Sequence, residues 1–392
     1  MRRELELYIH IPFCVKKCAY CDFLSGPASN QQIEEYVQAL IEEIRYYKEF
    51  VKKYEVSTVF WGGGTPSLLT GEQMKALMEA LGQTFFIRQN AEITMEANPG
   101  TVTVEKLLAC QKAGINRISF GLQSVNNEEL KMLGRIHTYE EFLESYEAAR
   151  KAGFQNINVD LISAIPKQTV SSWEQTLQTI ISLQPEHISA YSLIVEEGTT
   201  FAKLYGEGCK LEHLLPTEED ERRMYERTEE LLREAGYHRY EISNYAKEGY
   251  ECQHNLGYWE RKEYLGLGLG ASSLIEETRF HNTDEMEEYL RDASNPILLR
   301  RGQEKLDRQE QMEEFVFLGL RKIRGIQEEK FAEMFGEDIW DCYGKNLERV
   351  IKEGLLEREE GVLRLTRKGI DVSNYVFYEI LSDDWKDRKR QR

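Results

Sequence analysis

Apolar and polar positions along the first half of the chain fall into a repeating pair of patterns. A short β-prone run comes first, then a longer stretch with helical spacing. The β-prone runs cover residues 5–11, 56–61, 91–97, 117–121, 156–162 and 187–193. Between them, helical periodicity predicts helices from Gln31 to about Lys53 and over 71–81, 103–113, 127–133, 138–152 and 171–183. In the first of these Ile33, Val37, Leu40, Ile41 and Ile44 share one face. Strands alternating with helices of this length predict an α/β fold with a parallel sheet and right-handed crossovers. Six units in series predict an open or partial (β/α)6 barrel of TIM-like design.

Beyond Gly198 the rhythm breaks. Thr217 to Ala235 reads as one long charged helix, and 237–245 as a strand. Glycines alternate at 266, 268 and 270, a spacing that allows close backbone approach to a ligand or to a neighbouring element. Ser294-Asn-Pro296 predicts a boundary. Helices are expected after it at 308–321, 326–335 and 338–352, then a hairpin over 355–365 and a last helix over 367–379. Three helices and a hairpin make a small winged-helix-like unit, read here as a lid or docking module. The chain thus divides into a barrel over 1–295, a C-terminal domain over 296–380 and a charged tail over 381–392.

Composition narrows the function classes. With 41% hydrophobic and 30% charged residues, the 392-residue chain suits a globular protein, and no apolar run reaches membrane-spanning length. The N-terminus lacks the apolar core of a signal peptide, and seven cysteines without a disulfide-like framework fit a reducing cytoplasm. A net charge of −18 argues against a nucleic-acid partner. The basic cluster Lys386–Arg392 reads as a solvated end, with at most peripheral contact to an anionic membrane surface.

The chemistry concentrates in Cys14-Val-Lys-Lys-Cys18-Ala-Tyr-Cys21. Thiolates ligate iron–sulfur clusters, and three of them leave one iron of a 4Fe–4S cubane open to a chelating small molecule. Structural zinc wants four ligands, usually as two pairs, and no second pair exists. Cys110, Cys209, Cys252 and Cys342 are scattered singly and read as small buried residues. The spacing of the triad resembles the signature of the radical S-adenosylmethionine (SAM) enzymes. That resemblance implies that the amino and carboxylate groups of SAM take the open iron, and that an electron from the cluster cleaves SAM.

In a parallel barrel, functional groups collect at the C-terminal ends of the strands. The cysteine loop follows the first strand and Gly62-Gly63-Gly64 the second. Glu96 and Asn98 end the third, Gln123 and Ser124 follow the fourth, and Asp160 and Tyr191 lie near the ends of the fifth and sixth. A glycine turn admits the methionyl part of SAM. Glu96 suits its amino group, Arg135 its carboxylate as a bidentate fork, Asp160 the ribose hydroxyls, and Tyr20 the adenine. Taken singly, each also has a plain structural use as a turn or a cap.

Longer motifs sharpen the resemblance: Tyr8-Ile-His-Ile-Pro-Phe-Cys14, Gly62-Gly-Gly-Thr-Pro-Ser67, Glu96-Ala-Asn-Pro99, Arg117-Ile-Ser-Phe-Gly-Leu-Gln-Ser124, Leu133-Gly-Arg-Ile-His137, Asn158-Val-Asp-Leu161 and His254-Asn-Leu-Gly-Tyr-Trp259. Together they resemble the group of oxygen-independent coproporphyrinogen III oxidase and the HemW-type haem chaperones, over about residues 1–380. The resemblance implies SAM contacts at Tyr8, Tyr20, Gly63, Gly64, Thr65, Glu96, Gln123, Arg135 and Asp160. The oxidases carry a further cysteine two positions after the third, where this chain has Phe23, and a longer N-terminal arm. Ala19 stands where relatives commonly have proline. The chaperone branch is therefore expected, with oxidative decarboxylation of coproporphyrinogen III in porphyrin biosynthesis as the alternative. The chaperone resemblance implies haem as cargo, met by His254, Asn255, Tyr258 and Trp259, with His10 and Cys252 as rival ligands. It also implies haem-accepting proteins, an electron donor and a SAM-promoted homodimer as partners.

Overall fold

A computed structural model describes residues 2–381; the charged tail lies, beyond Leu381, outside the described residues. Six strands lie side by side in chain order, all parallel: β1 (Arg3–Ile11), β2 (Tyr54–Gly63), β3 (Ile87–Ala97), β4 (Arg117–Gln123), β5 (Ile157–Ser163) and β6 (His187–Ser192). Crossovers carry α1 (Asn30–Tyr46), α2 (Gly71–Thr84), α3 (Val104–Lys112), α4 (Asn127–Met132), α5 (Tyr139–Lys151) and α6 (Val170–Leu183). This is the expected partial barrel.

Local chemistry fixes these elements. Along β1, Leu5, Leu7, Ile9 and Ile11 are fully buried in the core shared with Tyr36, Val37, Leu40 and Ile44 of α1. Glu6, Tyr8 and His10 alternate with them and so face the concave side of the sheet. α1, α2, α5 and α6 each open on a reciprocal capping box, at Ser29, Thr70, Thr138 and Thr169. Each cap contributes about 1 kcal/mol and pins where the helix begins. α1 stops at Tyr46, where the apolar stripe ends, and only a short 3-10 turn at Phe50–Lys53 follows; the expected continuous helix to Lys53 is corrected accordingly.

The sheet is wider than six strands. After α7 (Thr200–Tyr205) and α8 (Glu218–Glu234), the expected strand over 237–245 is instead a tight antiparallel pair, β7 (His238–Arg239) and β8 (Asn244–Ala246), lying against β6. Next come α9 (Gln253–Trp259), β9 (Tyr264–Leu267), β10 (Ser272–Ile275), β11 (Thr278–Asn282), α10 (Met286–Asp292) and β12 (Arg300–Lys305). β9 pairs in parallel with β1, and β10 to β12 continue that edge, giving twelve strands in all. The alternating glycines serve this packing: a Cβ on Gly266 would run into the Ser272 carbonyl oxygen. Glu43 of α1 bolts the added edge down. Its buried carboxyl accepts from Gly268 N–H at 2.8 Å, Asn282 at 2.7 Å and the Tyr289 hydroxyl at 2.7 Å. Burial outweighs these three donors and pushes Glu43 up to about 7.

The large sheet runs to Lys305, past the expected boundary at Pro296. The C-terminal unit then comprises α11 (Arg308–Gly319), β13 (Ile326–Gln327), α12 (Glu328–Phe335), α13 (Ile339–Lys352), β14 (Leu356–Glu359), β15 (Val362–Leu365), α14 (Arg367–Asp371) and α15 (Ser373–Ile380). Its own core gathers Phe331, Phe335, Tyr343, Leu347, Leu363 and Phe377. Among the described residues no helix is long and apolar enough to cross a membrane.

Candidate functional site

The strands of the barrel end level with one another, and their outgoing loops meet at one cavity. The cysteine loop leaves β1 and closes on itself at its base, where Gly26 N–H donates to Pro12 O at 3.0 Å and Cys14 N–H to Gly26 O at 2.9 Å. Its tip hangs on two neighbours. Ala19 N–H reaches Leu133 O at 3.0 Å, and Phe201 N–H reaches Ala19 O at 3.0 Å. The turn after β2 presses against this loop, since a Cβ on Gly64 would meet the Phe13 carbonyl oxygen at 2.5 Å.

Cys14, Cys18 and Cys21 are half-buried free thiols lining one cavity of about 130 Å³. Gly63, Gly64, Thr65, Glu96, Gln123, Arg135, Asp160 and Tyr20 line it too. Three free thiols lining one cavity are a donor set that fits a 4Fe–4S cluster with one iron left open.

The polar groups in the cavity are held by few contacts. Arg135 donates from Nη2 to Asn98 Oδ1 and Gly121 O, both at 2.6 Å, and its Nη1 lies 3.4 Å from Cys18 Sγ. Its Nε–H is buried without a partner among the described residues. Glu96 accepts from Gly63 N–H at 3.2 Å, while burial, and then the charge of Asp160, push its carboxyl up to about 8. Asp160 is also raised, chiefly by burial, against donors from Asn158 at 2.8 Å and Ser119 at 3.0 Å. A carboxyl so placed gains most from a cation or from hydroxyl donors. Tyr20 stands edge-on to Phe201 with ring centres 6.4 Å apart, leaving a ring beside the cavity.

Some placements differ from the sequence reading. Tyr8 lies below the cavity wall, its hydroxyl 3.0 Å from His10 Nδ1, and His10 Nε2 lies 2.9 Å from Leu24 O. Tyr191 is 40% exposed and does not line the cavity itself, although its phenol feels the charge of Asp160. Asn98 and Ser119 do line the cavity; Ser119 was not singled out, although its place two residues before Gly121 on β4 puts it on the inward face. Of the four scattered cysteines, Cys110 and Cys252 are buried and Cys209 and Cys342 are half-buried.

The stretch expected to meet haem forms α9, which packs on the concave face at the N-terminal half of the strands. His254 is 1% exposed. Its Nδ1 lies 2.7 Å from Thr58 Oγ1 and its Nε2 3.0 Å from the Tyr258 hydroxyl, while its ring stacks on Phe60 at 5.1 Å. Burial, with Arg117 second, lowers its pKa to about 3. Both ring nitrogens are engaged, so iron ligation by His254 does not follow from this arrangement. The rival His10 is likewise engaged at both nitrogens, and Cys252 is buried with Sγ 3.5 Å from Glu92. The rings of Tyr8, Phe60, His254 and Tyr258 form a continuous column, with successive centres 6.4, 5.1 and 4.8 Å apart. Asn255 and Trp259 remain partly exposed.

The family model described as the radical SAM superfamily matches residues 8–180, and that of the HemN C-terminal domain matches residues 306–372. The chain is 37% identical to the haem chaperone HemW of Lactococcus lactis over 98% of its own length and 99% of the relative's. It is 38% identical to that of Bacillus subtilis over 96% and 99%. The crystal structure of the radical SAM coproporphyrinogen III oxidase HemN from Escherichia coli matches with a TM-score of 0.84 at 25% identity, over 97% of this chain and 91% of that one.

Proposed function

The chain belongs to the family of the haem chaperone HemW, within the radical SAM proteins, and on that premise we propose that it binds haem and passes it to haem-requiring proteins. The observation that carries the reading is the likeness to the chaperones from end to end, in a chain whose three cysteines share one cavity with Glu96, Arg135 and Asp160.

We assign Cys14, Cys18 and Cys21 to a 4Fe–4S cluster and the rest of the cavity to SAM. When bound, the pair supplies one-electron reductive cleavage of SAM. The protein's part is positioning. Arg135 turns its fork from Asn98 and Gly121 toward a carboxylate. Glu96, whose carboxyl burial holds at about 8, would accept from an ammonium group, whose positive charge favours its carboxylate form. Asp160 accepts from ribose hydroxyls, and Gly63 and Gly64 let the backbone close on the ligand. A cytoplasmic setting, an external electron donor and a SAM-promoted dimer complete the proposal.

Coproporphyrinogen III oxidation is the second reading, favoured by the likeness to HemN at a TM-score of 0.84. Anaerobic titration with haem, followed by transfer to an apo-haemoprotein, tests the first; assay with coproporphyrinogen III, SAM and reductant tests the second. Stoichiometric haem uptake and transfer without decarboxylation is expected. Formation of protoporphyrinogen IX would overturn the chaperone reading.

A further inference from the structure

Between α9 and the C-terminal unit the surface opens into a groove of about 520 Å³, inside the range of about 300–1,000 Å³ typical of small-molecule sites. Its apolar lining comes from both sides: Trp259 at the end of α9, Phe315 of α11, Ile326 of β13 and Met334 of α12. Trp259 carries a buried indole N–H with no acceptor among the described residues. Met334 is 54% exposed, an unusual position for a thioether side chain on a helix that buries Phe331 and Phe335.

The charges are lopsided. Lys262, Lys322, Arg324 and Lys330 line the groove against Glu260 and Glu333. The single carboxylate of Glu260 is shared by Lys322 at 3.3 Å and Arg324, while Lys262, 4.0 Å from it, pairs more closely with Glu4 at 3.3 Å. Lys330 lines the groove with no carboxylate within ion-pair distance among the described residues. Lys322 is 9% exposed, so its ammonium is held largely out of water, a position that an additional anion stabilises. This local surplus of positive charge occurs in a chain of net charge −18.

We propose that this groove is the haem site, an inference that rests on the haem-binding reading above. Haem is flat and apolar with two carboxylates at one edge. The aromatic and thioether walls suit its faces, and the surplus of Lys322, Arg324 and Lys330 suits its propionates. Trp259 belongs to both α9 and the groove. The groove thus accounts for the place of that stretch beside the cargo while His254 keeps its two interior hydrogen bonds.

The test uses the full chain with its cluster reconstituted, titrated anaerobically with haem and with haem dimethyl ester, in wild type, Lys330→Glu and Met334→Glu. Both positions are exposed, so folding is preserved; iron content and SAM affinity report that directly. Haem affinity is expected to fall by about tenfold or more in each variant, with iron and SAM unchanged. The dimethyl ester is expected to bind wild type more weakly than haem and to be indifferent to Lys330→Glu. Wild-type haem affinity in both variants overturns the groove and leaves haem binding standing. A wild type that takes up no haem overturns both.

Discussion

Arg135 Nη1 lies 3.4 Å from the sulfur of Cys18, so one side chain touches the cysteine loop while its other nitrogen is anchored to β4 and to the turn after β3. Removing it tests the pocket. Arg135→Ala and Glu96→Ala should each weaken SAM binding by about 1.5–3 kcal/mol, the worth of a charge-assisted hydrogen bond. Iron content should hold, because the thiols remain. Calorimetric titration of the reconstituted protein reads this; unchanged SAM affinity in both variants would mean that the cavity is assigned to the wrong ligand.

Replacing Cys14, Cys18 or Cys21 by Ala should abolish reconstitution of about four irons and four sulfides per chain. Replacing Cys110, Cys209, Cys252 or Cys342 should leave it intact. Iron and sulfide analysis decides, and a requirement for any of the second set would end the open-iron argument.

Glu43 gives the fold a pH dependence with a definite sign. Its carboxyl titrates near 7 in the folded protein against an ordinary 4.5. Below 4.5 it is neutral in both states. As pH rises from there through 7, the unfolded chain sheds the proton first, so folded-state stability falls. The loss between pH 5 and 8 is about 2–3 kcal/mol from this group. Denaturant unfolding should show Glu43→Gln lacking that part of the decline; parallel pH profiles for the two proteins would refute it.

His254→Ala should behave as a structural change. It strands Thr58 and Tyr258 inside the barrel, costing about 2–3 kcal/mol of stability. The Soret position of bound haem should stay put. A shifted Soret band at unaltered stability would restore the histidine as an iron ligand.

The barrel was legible because short apolar β-prone runs recur, the first three closed by Pro12, Gly62–Gly64 and Asn98-Pro99, and each main crossover helix announces itself with Ser or Thr at the cap. The added strands were not. β10 to β12 are four to six residues long and carry Ser, Arg and Glu, so no hydrophobic alternation marks them. The cavity residues could be named from their positions at strand ends, because a parallel barrel gathers the exits of its strands round one mouth. The His254 motif misled. Flat aromatic residues beside a histidine serve equally to cover a porphyrin or to fill a barrel. What decides is Thr58, a partner 196 residues away in the chain.

α9 makes the barrel blind. Whatever reaches the cysteine loop arrives by the strand-end mouth and departs by it, so visitors there queue instead of flowing through. The buried rings from Tyr8 to Tyr258 stop the inner end of that chamber as a plug of packed matter.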